Sequence, residues 1–180
     1  MPSLSESPIL SRRGVLKIGL CAGAFLSTAG LAASLSGCSA GRPASGFAVL
    51  QSNDLPFLQA LIPAMLEGAV AAVKIPAAID QTLTSLDYSL AHLSPEMLKL
   101  TRQLFDVLGM GITRGPLTGI WGSWENASDA QIHAFLDRWE NSYLSLLRMG
   151  HASLLQLVMM AWYNRAEAWA HCGYPGPPKV

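Results

Sequence analysis

The sequence predicts an all-α protein, a small irregular bundle of about five helices that ends in an extended tail rich in proline and glycine. Three observations predict it. Apolar residues recur at three- and four-residue intervals through most of the chain beyond residue 53. No run alternates polar and apolar residues for long enough to make a sheet strand. Helix-start signals, Ser94 before Pro95 and Ser128 with Gln131 three residues later, stand directly before apolar stripes.

The elements follow in order. Residues 1–37 read as a leader, 38–52 as a flexible tether, and 53–180 as one helical domain whose tail starts at 173. Asn53 or Asp54 is the expected N-cap of the first helix, with Pro56 in its first turn and Phe57, Leu58, Leu61, Ile62, Met65 and Leu66 along one face. Pro63 is expected to kink or interrupt it. Pro76 opens a second helix striped by Ile79, Leu83, Leu86 and Leu90. Ser94 and Pro95 start a third, with Met97, Leu98, Leu100, Leu104, Phe105 and Leu108 facing inward. From Gly109 to Asn126 glycines and prolines break the pattern, and the stretch around Trp121 and Trp124 reads as an ordered loop. Ser128 then caps a helix carrying Ile132, Phe135, Leu136, Trp139, Tyr143, Leu146 and Leu147. After a bend at Gly150, the segment ASLLQLVMMAWYN is apolar on nearly every face, so it is either central in the bundle or covered by a partner. Beyond Gly173, prolines forbid helix and the chain lies extended against a surface.

The front of the chain bears on compartment. Ser11, Arg12, Arg13, Gly14, Val15, Leu16 and Lys17 resemble the twin-arginine export pattern, with Val15 where that pattern prefers Phe. A stretch rich in Ala, Gly, Leu and Ser follows, uncharged from Ile18 to Arg42, as in a secretory leader; it is also long enough to remain as a membrane span. Leu35, Ser36, Gly37 and Cys38 resemble a bacterial lipobox, which would make Cys38 the lipidated first residue; a plain small-residue cleavage site is the alternative. Each buried lipid methylene contributes about 0.8 kcal/mol, and stable anchoring takes more than one acyl chain. On these readings the protein works in the periplasm, most simply anchored to a membrane.

Composition excludes some functions. Beyond residue 37 there are 9 basic and 11 acidic side chains, so no basic stripe exists to neutralise phosphates and nucleic acid is not an expected partner. Hydrophobic residues make up 51% of the chain and charged ones 13%, a charge content low enough to suggest a buried interface with another protein. With Cys21 in the leader and Cys38 lipidated, Cys172 is an odd thiol in an oxidising compartment, either buried and inert or paired to another chain.

Chemistry-bearing patterns are sparse. There is no GxGxxG, phosphate loop, CxxC pair or CxxCH haem site, so no cofactor is expected on this chain. His133 and Asp137 stand four apart on one helix, a spacing that serves an exposed polar contact more readily than a metal. His92 reads as a helix-end residue, His151 as a turn residue, and Asp80 and Asp87, seven apart, as the solvated edge of an amphipathic helix. His171 beside Cys172 is the one neighbourhood where thiol activation is arguable, although sequence neighbours usually point apart. Trp162 and Trp169, seven apart with Tyr163 between them, fit a core stripe or an interface anchor.

Ala161, Trp162 and Tyr163, then Trp169, then Gly173, Tyr174, Pro175, Gly176 and Pro177 resemble the C-terminal signature of the small subunit of gluconate 2-dehydrogenase and related sugar or alcohol dehydrogenase complexes. The leader and Phe57 to Pro63, FLQALIP, resemble that family's opening, whereas the alanine-rich stretch from Ala69 to Ala78 departs from it. The resemblance implies a subunit without a redox centre. It implies as partners a large FAD-dependent dehydrogenase subunit of the glucose-methanol-choline type, often a cytochrome c subunit, and the twin-arginine translocase. It also implies the function: carrying the folded flavoprotein out and stabilising it. The expected contact set is then Trp162, Tyr163, Trp169, Tyr174, Pro175 and Pro177, with Cys172 as a covalent link. A free-standing periplasmic lipoprotein that binds a small apolar ligand between its helices is the alternative.

Overall fold

The computed structural model describes residues 42–176. Arg12, Arg13, Cys38 and Pro177 lie outside the described residues.

The described chain is all-α. Its helices are α1 (Leu55–Met65), α2 (Ile75–Ala91), α3 (Pro95–Gly109), α4 (Gly111–Thr118), α5 (Asp129–Glu140), α6 (Ser145–Tyr163) and α7 (Ala166–Cys172), with 3-10 turns at Ala72–Lys74 and Trp124–Asn126. The count is thus seven rather than about five. Part of the difference is α4, which forms within the stretch expected to be loop, and part is α7, which is set off from α6 by a turn.

The hub is α1, which packs against α2, α3, α5, α6 and the Trp124 turn. Its predicted stripe is the buried one: Phe57, Leu58, Leu61, Ile62 and Met65 face the core, and Leu66 just beyond the helix is buried too. Pro63 does not interrupt the helix, which runs on to Met65; it lies in the last turn and removes one donor. From Phe57 a chain of edge-to-face and tilted rings crosses the bundle. Phe57 meets Phe105 at 5.2 Å and Trp124 at 6.1 Å between centroids; Trp124 meets Phe135 at 5.9 Å, and Phe135 meets Trp139 at 5.0 Å. Both indoles also tie helix ends together, Trp124 Nε1 donating to the Leu108 carbonyl and Trp139 Nε1 to that of Leu117, each at 2.9 Å.

The caps behave as the sequence signals require. Ser94 accepts from the Met97 amide, and Ser128 and Gln131 form a complete capping box. Elsewhere the pattern misled. In α3, Phe105 and Leu108 are buried but Met97 and Leu100 are exposed. The helix after Ser128 stops at Glu140: Asn141 turns its amide back onto Asp137, Ser142 accepts from the Leu144 amide, and Arg148 caps the Ser142 carbonyl. Tyr143 and Leu146, expected on the apolar face, are therefore exposed.

Nor is α6 central. Leu154, Val158, Ala161 and Trp162 bury one side of it against α2 and α1, while Ala152, Ser153, Gln156 and Met160 remain exposed. It also runs unbroken through Gly150, and His151 is helical. Gly150 is instead a contact residue, because a Cβ there would come within 2.7 Å of the Trp139 ring and 3.5 Å of Leu104.

From Arg42 onward the expected tether is part of the fold. Pro43 pairs with Gln51 in an antiparallel bridge, the Ala44 amide donates to the Leu50 carbonyl at 2.7 Å, and Ala44 and Leu50 are buried.

Candidate functional site

Two groups of side chains concentrate the polar and aromatic chemistry. One is the predicted C-terminal set. The other joins the 42–54 segment to α2 and α3, and the sequence reading missed it.

The C-terminal set begins where α6 ends at Tyr163. Asn164 and Arg165 turn the chain into α7, and Trp169 folds back so that its Nε1 donates to the Tyr163 carbonyl at 2.9 Å. That bond satisfies one of the carbonyls every helix end leaves without a partner. Gly173 then takes the left-handed conformation (φ 70°) that stops α7, and the Trp169 carbonyl collects the Gly173 and Tyr174 amides and the Cys172 thiol. The reversal lays Tyr174 edge-on to Trp169 at 5.5 Å. Gly176 (φ 100°) passes so close that a Cβ would stand 3.1 Å from the Trp169 ring. Tryptophan, the glycine stop, Tyr174 and Gly176 thus form a clasp within this chain, and they account for one another.

The predicted contact residues are divided by this arrangement. Trp162 is a core residue, 7% exposed, and its Nε1 finds no acceptor among the described residues. It is buried by neighbours within this chain. Tyr163 and Trp169 are half-buried, whereas Cys172, Tyr174 and Pro175 are exposed. Cys172 is a free thiol.

The second group centres on Asp87. Expected at a solvated edge, it is 8% exposed, and its carboxylate accepts three backbone amides, from Ala48, Val49 and Leu50, each at 2.8 Å. Burial alone would raise its pKa. The three amide bonds and the charge of Arg102 together outweigh burial and hold it below the ordinary carboxylate range. Asp80, seven residues earlier, is exposed.

Asp54 is the counterpart. It stands at the N-cap of α1 but does not cap it; its Oδ2 accepts from the Gln51 amide at 2.7 Å and faces Arg102 Nη1 at 2.8 Å. Burial pushes its pKa up, and the Gln51 amide and Arg102 only partly offset that. The guanidinium also lies over the Phe105 ring, 5.1 Å from its centroid. Its nitrogens make no geometrically sound hydrogen bond among the described residues, so the Asp54 contact is an ion pair of charges rather than a bidentate fork.

The remaining titratable candidates are dispersed. His133 faces Glu67, in the turn after α1, at 3.4 Å, and Asp137 is engaged by Asn141. His92 caps α2 through a 2.7 Å contact with the Tyr88 carbonyl. Among the described residues no group of three or more His, Cys, Asp and Glu side chains is placed to hold a metal ion. No family model, curated protein or solved structure matches the chain.

Proposed function

We propose that this chain is a non-catalytic accessory subunit that travels by the twin-arginine route with a folded FAD-dependent dehydrogenase and stabilises it in the periplasm. One observation carries the reading: a twin-arginine pattern at Arg12 and Arg13 heads a chain whose sequence has no cofactor-binding motif of its own. Flavin is inserted in the cytoplasm, so a flavoprotein must cross the membrane already folded. A single leader then serves both chains, and the cofactor belongs to the partner.

Large apolar side chains at the surface support the reading. Tyr143, Leu144, Leu146 and Met149, around the start of α6, are all more than half exposed, as are Met97 and Leu100 on α3. Such side chains are suited to cover by another protein. At the C-terminal end Tyr174 and Pro175 of the expected contact set, and Cys172 as the covalent link, are exposed.

Affinity purification of the tagged full chain from the cell envelope tests the proposal. A co-eluting yellow protein with flavin absorbance is expected, and comparison with and without reductant shows whether Cys172 links the two. Recovery of the chain alone, folded and monodisperse, contradicts the proposal.

A further inference from the structure

Between Asp106 and Glu125 the chain carries one charged side chain, Arg114, and while Leu108, Ile120 and Trp124 are buried, four other apolar residues face outward. Trp121 is 77% exposed and Ile112 83%, with Met110 and Pro116 exposed beside them. Ile112, Gly115 and Pro116 share one face of α4 by their spacing of three and four. The Trp121 ring lies flat on that face, because a Cβ on Gly115 would meet it at 2.5 Å. The indole therefore rests against α4 while most of it faces solvent. Arg138 rests against Gly119 at the end of α4, its Nη2 2.7 Å from where a Cβ would be, so Arg138 supplies positive charge at the end of that face.

Where the chain enters the fold suggests what this face meets. Pro43 pairs with Gln51, and two residues on, the Asn53 carbonyl touches Gly109, 3.2 Å from its would-be Cβ, just before α4 starts. This step rests on the proposed envelope location and on the lipidation of Cys38 that the lipobox resemblance leads one to expect. Arg42 follows Cys38 by four residue steps, a reach of about 14 Å when fully extended. A body of this many residues is about 35 Å across, so such an anchor cannot hold it a body's width from the lipid.

The geometry points to a bilayer surface as the occupant of the Met110, Ile112, Pro116 and Trp121 face, with Trp121 at the level of the headgroups. Tryptophan favours that level because its ring is apolar and its N–H is wet, and a flanking arginine meets anionic phosphates.

The test uses the full chain purified from membranes and placed in phosphatidylethanolamine–phosphatidylglycerol vesicles whose acyl chains carry bromine, a quencher of tryptophan emission. Trp124, Trp139 and Trp162 are buried and Trp169 half-buried, so Trp121 is the accessible reporter. Trp121→Phe should reduce the quenched fraction at least twofold, and Ile112→Ser should lower it with helix content unchanged. Equal quenching in wild type and Trp121→Phe overturns the proposal. So does a Trp121 signal that responds only to a co-purified protein. The intact mass separates the causes: a chain without lipid on Cys38 overturns this proposal together with the lipidation reading, whereas a lipidated chain with unquenched Trp121 overturns this proposal alone.

Discussion

Asp87 anchors the start of the domain with a single carboxylate, since three consecutive amides from residues 48–50 converge on its two oxygens. Bonds of this kind, with one partner charged, each contribute about 1.5–3 kcal/mol. Asp87→Asn keeps one acceptor oxygen and loses the charge, so it should cost about 3 kcal/mol at neutral pH. The pH dependence has a definite sign. The folded pKa of Asp87 lies below the unfolded value, so its contribution is complete above the unfolded pKa, near 3.8, and is lost as pH falls through the folded pKa. Asp54 acts in the opposite sense: its raised pKa makes it a destabilising charge at neutral pH, a penalty that disappears below the unfolded value. Urea unfolding of wild type and Asp87→Asn should therefore differ strongly at pH 7 and converge on acidification below about 3.8. An equal difference at both pH values would show that the carboxylate charge is not what holds the segment. The sequence could not reveal this role, because the bonded partners lie 37 to 39 residues away. The available hint was an acidic residue directly beside Leu86 and within one turn of Leu83 and Leu90, on the apolar side of its helix.

Two glycines inside helices distinguish rigid from yielding neighbours. A Cβ on Gly150 in α6 would strike the Trp139 ring, which is buried and fixed by its bond to Leu117. Gly150→Ala should cost about 1–3 kcal/mol through overpacking. A Cβ on Gly115 in α4 would strike Trp121, which is exposed and free to swing away. Gly115→Ala should therefore leave thermal stability within about 0.5 kcal/mol while shifting the Trp121 emission, since surface changes of this kind are close to neutral. A larger loss at Gly115 than at Gly150 would contradict the packing described. Legibility at this scale followed the range of the signal. The starts of α3 and α5 were readable because a cap and its partner sit three residues apart. The stripe of α1 was readable because that helix faces the core over its whole length. Gly115, Pro116 and Gly119 concealed α4, since each weakens a helical pattern whatever it packs against. Tyr143 and Leu146 appeared to continue α5 because periodicity alone does not show where Asn141 and Ser142 divert the chain.

Across the whole molecule, the resemblance motif divides between two tasks. Trp162 fills the core, and Trp169, Gly173, Tyr174 and Gly176 close a clasp, so removing residues 161–180 would dismantle part of the fold along with any contact surface. Truncation of that end is consequently a poor probe of partnership. The expected leader gives a cleaner one, because Arg12 and Arg13 belong to the proposed export pattern and not to the core residue Trp162 or the C-terminal clasp. Replacing both, Arg12→Lys with Arg13→Lys, leaves charge and length unchanged while altering the export pattern. The most direct measurement is the amount of flavin-containing dehydrogenase in the periplasm of cells carrying that double variant in place of the wild type. The account predicts that the flavoprotein stays in the cytoplasm with this chain; undiminished flavoprotein in the periplasm would contradict it.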